Sequence, residues 1–211
     1  MGYNVEQVKR AIKSAAERLE EKKQELNRLD AAIGDGDHGR SISRAFGGMA
    51  EELETMDSKN VGEILKEIGK QIVFSSGAAA GPLFGTGVME AGKEVSGKEE
   101  VNLDDLARMF AAAERGIKER GGGEVGEKTM LDTLDPARKA LEEASAEGLS
   151  MEQAAQKTIK AAREGRDSTE EMISERGRSS RLGERTKGHI DPGAASSFLI
   201  IESMFNSCTE E

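Results

Sequence analysis

Three carboxylates, one of only two histidines and three glycines crowd the run Leu29-Asp30-Ala31-Ala32-Ile33-Gly34-Asp35-Gly36-Asp37-His38-Gly39. Such a stretch buries little apolar surface, so its residue types point to a site. Asp30 closes an amphipathic segment, Gly34, Gly36 and Gly39 let the backbone turn sharply, and Asp35 and Asp37 point to one side of an extended piece. Carboxylates this close repel one another unless a cation lies between them. All-oxygen ligands select a hard ion such as Mg²⁺ over zinc or copper. Asp30, Asp35 and Asp37 are therefore candidate Mg²⁺ ligands, against the plainer alternative of a polar loop favoured for local turn reasons. A calcium EF-hand fails on register: counted from Asp35, Gly39 falls at the fifth place, Arg40 at the sixth and Phe46 at the twelfth, where acidic or amide, Gly and Glu are required.

Two other joints are rich in glycine, charge and hydroxyls. Gly121-Gly122-Gly123-Glu124-Val125-Gly126-Glu127-Lys128-Thr129 nearly spells a P-loop, but Glu127 displaces the lysine by one place and no apolar strand precedes it. What remains is a segment whose backbone N–H groups, Lys128 and Thr129 can meet a phosphate or close over a nucleotide, or else a solvated loop. From Arg176 to Gly193, cations and hydroxyls concentrate in an otherwise acidic chain, and the second histidine, His189, lies among them. Arg offers a planar fork to phosphate oxygens, and Pro192-Gly193 stands just ahead of the final helix, whose N-terminus suits an anion. A solvated charged face is the competing account. The run from Ser75 to Gly87 is nearly free of bulky side chains, which serves close helix contact and ligand approach equally.

The elements that must position these joints are helices. Val5, Val8, Ile12, Ala15, Ala16, Leu19, Leu26 and Leu29 keep helical spacing after an Asn4/Gln7 capping box, which predicts one long helix ending at Asp30. A second is expected from Ile42 to Leu53. A third follows the Asn60/Glu63 box to Ser75, and a fourth carries Pro82 in its first turn. Asn102 caps a fifth to about Ile117, Asp135-Pro136 opens a sixth, Ser150/Gln153 caps a seventh that reaches toward Met172, and an eighth, apolar nearly all round, begins near Gly193. No stretch alternates as a strand would, and aromatics are 3% of the chain. The 211 residues thus predict a single-domain, all-α antiparallel bundle or barrel of about eight helices spanning 1–211. With helices alternating in direction, the three joints and the small-residue run converge at one end.

A net charge of −10 and the lack of any basic block argue against a nucleic-acid partner. The single cysteine, Cys208, cannot form an internal disulfide, and no stretch approaches the ~20 apolar residues needed to span a bilayer. With no apolar signal core at the N-terminus, the expected compartment is the cytoplasm.

The motifs LDAAIGDGDHG (29–39), GPLFGT (81–86), GEKTMLD (126–132) and RSSRLGERTKGHIDPGA (178–194) occur in order over nearly the whole chain. In these it resembles the L subunit of dihydroxyacetone kinase, the nucleotide-binding part of that enzyme. The resemblance implies a barrel of antiparallel helices with ADP or ATP at one end, its phosphates bridged to Asp30, Asp35 and Asp37 by two Mg²⁺ ions. It implies that His38 contacts the phosphates with Gly39 and Ser41 beside it, that Ala79 and Ala80 bring backbone to the nucleotide, that Gly121 and Met130 border the base, and that Thr129 also binds the nucleotide. Arg178 and Asp191-Pro192-Gly193 complete the pocket, with Arg178 and either Lys128 or Lys187 neutralising phosphate charge.

The implied partners are a K subunit that holds dihydroxyacetone on its own histidine and a phosphohistidine-carrying M subunit that recharges bound ADP, the alternative donor being ATP as an exchangeable substrate; a homodimer within a larger complex is the expected assembly. Family members often carry Ser where this chain has Ala80, and Asn-Met where it has Ser41-Ile42. A nucleotide-binding part of a fatty acid kinase, or of a kinase for another triose, resembles the chain in the same way. A non-enzymatic interaction module with a structural metal is the reading from a different class.

Overall fold

The computed structural model describes residues 2–75 and 80–209, so Ala79 and the residues 76–78 of the small-residue run lie outside the described residues. Helix α1 (Val5–Glu21) starts at a reciprocal box: the Asn4 side chain accepts from the Gln7 N–H, and the Gln7 side chain accepts from the Asn4 N–H, each at 3.0 Å. The predicted single helix to Asp30 is broken at Lys22, and α2 (Lys23–Ile33) carries Asp30 within its last turn. Six consecutive polar residues, Glu20 to Glu25, separate Leu19 from Leu26, so no apolar face holds the two pieces in line.

The second predicted helix starts earlier, at His38, and divides into α3 (His38–Gly47) and α4 (Met49–Thr55) at Gly47-Gly48, the weakest helix formers in the run. Helices α5 (Val61–Ser75), α6 (Ala80–Glu94) and α7 (Leu103–Gly121) follow, with Pro82 in the first turn of α6 and an Asn102/Asp105 capping box on α7. Helix α8 (Leu131–Ala146) begins a turn before Asp135-Pro136, leaving Pro136 inside it. Asp132 explains the early start, since its carboxylate accepts from the Gly126 and Thr129 N–H groups at 2.5 and 2.7 Å and fixes the first turn. Helix α9 (Met151–Ser168) starts at the Ser150/Gln153 box and stops short of Met172; short 3₁₀ turns at Thr169–Glu171 and Ser179–Thr186 lead to α10 (Pro192–Thr209). A two-residue pair, β1 (Tyr3–Asn4) with β2 (Glu100–Val101), is antiparallel.

The described residues therefore hold ten α-helices, and the two beyond the expected eight come from the breaks at Lys22 and Gly48. Eight of them close a ring through neighbouring contacts in the order α1, α3, α5, α6, α7, α8, α9, α10 and back to α1. The core inside it includes Leu19, Ile42, Ile64, Ile68, Ile72 and Leu141, with Phe46 and Phe84 edge to face at 6.1 Å. Helices α5 and α6 run antiparallel with backbones in contact: a Cβ on Gly69 would meet the Gly85 carbonyl at 2.7 Å and one on Gly85 the Gly69 carbonyl at 2.6 Å, and Gly62 and Gly92 repeat the exchange one heptad away. Here the small residues of α6 serve helix contact, while Ala80, Pro82 and Leu83 face a cavity.

Candidate functional site

One end of the ring opens into a cavity of about 540 Å³, within the range of small-ligand sites. Its wall draws on the loop after α2, the start of α6, the loop from α7 to α8, the segment after α9 and the start of α10. All three glycine-rich joints thus converge, with Ala80, as alternating helix directions require.

The acidic wall is set by backbone. Asp30 Oδ2 accepts from the N–H groups of Asp37 (2.9 Å) and His38 (3.1 Å), folding the Gly34–Asp37 turn back onto α2. Asp30, Asp35 and Asp37 each offer an oxygen within 4.8 Å of the others. Three oxygens so disposed, with the cavity beside them for further ligands, fit a hard divalent cation. Gly39 is buried between α2 and α3, where a Cβ would stand 2.1 Å from the Lys23 carbonyl; its place in the site is to let the two helices close. Ser41, one turn along α3, lines the cavity.

His38 is part-buried, and its Nε2 lies 3.0 Å from Ser196 Oγ, which donates to the Gly193 carbonyl at 3.0 Å. Burial, only partly offset by Asp30, pushes the imidazole down to about 4, so it is neutral at neutral pH. Ser196 is a site residue that sequence reasoning missed; within an apolar helical run a serine gives no sign of its partner.

Opposite the acids, the Arg178 guanidinium reaches across to pair with Asp35 and stands 4.0 Å from Asp37. Arg176 lies beside it, paired with the Glu127 carboxylate at 2.7 Å. Arg178 and Arg176, with Arg120 from the end of α7, are the cations lining this side of the cavity apart from Lys128. Lys187 is exposed, its nearest partner being Glu171 at 3.7 Å, and it is not among the lining residues. His189 contributes its backbone carbonyl while its side chain is exposed.

Lys128 corrects the expectation that it neutralises phosphate. It is 1% exposed, and its Nζ donates to the carbonyls of Thr169, Met172 and His189 at 2.5, 3.2 and 2.5 Å, which uses all three of its protons. Beside it Asp191 caps α10, accepting from the Ala194 N–H at 2.8 Å. Burial, opposed by that hydrogen bond and by Lys128, pushes the Asp191 carboxyl up to about 7. Pro192 and Gly193 follow it into the wall, and Gly121, Thr129 and Met130 line the far side.

The model of the DAK2 domain family matches residues 32–206. The chain belongs to the DAK2 domain family. Among its relatives is the ADP-binding subunit DhaL of the PEP-dependent dihydroxyacetone kinase of Escherichia coli (strain K12), 37% identical over 179 residues and covering 85% of each chain. The ADP-binding subunit DhaL of PEP-dependent dihydroxyacetone kinase 1 from Listeria innocua is 34% identical over 207 residues, or 98% of each chain. The crystal structure of the dihydroxyacetone kinase from C. freundii in complex with AMP-PNP and Mg²⁺ superposes with a TM-score of 0.72 at 23% identity. The match covers 98% of this chain and 35% of that longer one, and shows that the helix ring shares the fold of that part of it. Among the described residues, no helix of this DAK2 domain is long and apolar enough to cross a membrane.

Proposed function

We propose that this chain is the ADP-binding subunit of a dihydroxyacetone kinase, passing a phosphoryl group from a Mg²⁺-bound adenine nucleotide to dihydroxyacetone held on a separate K subunit. The observation that carries the reading is the facing of Asp30, Asp35 and Asp37 by Arg178 across one cavity, in a chain that aligns end to end with ADP-binding subunits.

Asp30, Asp35 and Asp37 would hold Mg²⁺, two ions in our reading, which would supply neutralisation of phosphate charge. Asp30 has a second duty, keeping Asp37 and His38 in place through their N–H groups. A neutral His38, held through Ser196, brings no positive charge to compete with the ions. Arg178 leaves Asp35 for the phosphates and meets the charge that develops there, while Ser41, Ala80, Gly121, Thr129, Met130 and Asp191-Pro192-Gly193 border the nucleotide. No general base is needed on this chain, because the acceptor hydroxyl arrives on the K subunit. An M subunit carrying phosphohistidine recharges the ADP, and the chain works as a homodimer within that complex.

Calorimetry with ADP and Mg²⁺, followed by phosphorylation of dihydroxyacetone in the presence of K and M subunits, tests the reading. Tight, Mg²⁺-dependent ADP binding and product formed without free ATP are expected. Failure to bind adenine nucleotide overturns it, and product formed only with exchangeable ATP overturns the assignment of the donor.

A further inference from the structure

The cation that spends itself on backbone is unexplained by nucleotide chemistry. Lys128 is the one non-glycine residue with a positive φ (61°) among the described residues, a conformation that disfavours a long side chain, and it is buried although it carries a charge. Its three acceptors, at 169, 172 and 189, lie 41, 44 and 61 residues from it in sequence and bracket the segment that carries Arg176 and Arg178. The same neck is closed by the Gly188 N–H on the Glu170 carbonyl (2.7 Å) and the Asp191 N–H on Thr169 Oγ1 (3.0 Å). Next to Lys128, Glu127 grips the segment twice more, with its carboxylate on Arg176 and its carbonyl accepting from the Glu175 N–H at 3.2 Å. Beyond this neck the segment makes contacts within itself, such as the Ser174 N–H on Thr186 Oγ1 at 2.9 Å, packs on α2, and reaches the acidic wall through Arg178.

We infer that Lys128 is a positioning residue that pins the neck of the 169–189 segment and thereby sets Arg178 against the acidic wall of the cavity. Three carbonyl oxygens converging on one point repel each other, and only a central group with three donors holds them there. Lysine's compact ammonium does this where arginine's planar fork does not. Asp191, Glu170, Asp132 and Glu171 supply a negative field that partly offsets its burial. The consequence for nucleotide rests on the function proposed above; the consequence for the segment does not.

Two variants test the inference. Lys128→Met removes every donor, and Lys128→Gln keeps two in a similar volume, so Gln should restore part of what Met loses. Three quantities are read on the full chain: the rate of tryptic cleavage at Arg176, Arg178, Arg181 and Arg185 without nucleotide, located by mass spectrometry; the Kd for ADP with Mg²⁺; and the helical melting curve. Expected is cleavage at least tenfold faster in Lys128→Met and intermediate in Lys128→Gln, with a Kd raised in the same order and a single cooperative melt retained. Should Lys128→Met not fold, the Gln variant against wild type carries the comparison. Variants cut no faster than wild type overturn the inference, as does cleavage that rises equally in all helices. Wild type that fails to bind ADP, with segment cleavage rising as expected, sinks the proposed function and leaves the pin standing.

Discussion

Asp30 and Arg178 sit on opposite walls of the same cavity and are held in different ways. Asp30 lies on a helix and orders its own loop by accepting two backbone N–H groups, so the acidic wall is built into the path of the chain. Arg178 stands just ahead of the 3₁₀ turn at Ser179–Thr186, in a segment with positive-φ glycines at 177, 183 and 188; its side chain is 64% exposed, and the segment's fixed points are Lys128 and Glu127 in another loop. One wall is covalently local, the other is docked. The acidic wall is set by the chain's own turn, whereas the basic wall can be released and reset without disturbing a helix.

The largest effects should come from the fixed wall. Asp35→Asn and Asp37→Asn should each abolish ADP binding with Mg²⁺ while the melting temperature stays the same or rises, since like charges are separated; calorimetry and a thermal melt read both. Retained binding would mean that the walls do not divide the labour in this way. Next is Arg178→Gln, which on the proposed function removes a charged hydrogen bond to phosphate worth about 1.5–3 kcal/mol and should weaken MgADP by about ten- to a hundredfold. The same change frees Asp35 of its guanidinium, so Mg²⁺ or Mn²⁺ alone should bind more tightly than to wild type, a change of opposite sign that a merely misfolded site cannot produce.

A smaller effect tests the junction of the two walls. The Asp191 carboxyl titrates near 7 in the folded chain and near 3.8 when unfolded, so folding takes up a proton between those values and stability from this group falls as pH rises through that window. Asp191→Asn removes the group, so relative to wild type it should gain melting temperature at pH 8 and lose that advantage toward pH 4. Equal differences at both ends would show that the buried carboxyl is not the source. Smallest is Ala80→Ser, which returns a hydroxyl at the mouth of the cavity and should tighten nucleotide by about 0.5–1.5 kcal/mol, read as Kd.

Much of this was legible in the sequence where the cause is local. Asn4 with Gln7 and Ser150 with Gln153 start helices where their spacing says, because a cap is satisfied within one turn. The three aspartates, spaced by glycines within one short run, lie together at the cavity wall as that spacing suggests. What stayed hidden depends on distant partners. Pro136 read as a helix start because proline favours that place, yet Asp132 opens α8 a turn earlier through bonds to a loop. Lys128 read as a phosphate ligand because a lysine beside glycines and a threonine has that look, and only the fold brings carbonyls 41, 44 and 61 residues away to its ammonium. Ser196 gave no signal, since its partner His38 is 158 residues distant.

The glycine seam between α5 and α6 has a bearing on motion. Two rods touching main chain to main chain have no side-chain cushion to slide upon, so that flank of the barrel behaves as a single stiff stave, with Ala80, Pro82 and Leu83 fixed at its tip. A mouth with one immovable jaw can shut only by moving the other, and a bulky residue introduced anywhere along the seam would prise the stave apart and widen the opening far from the substitution itself.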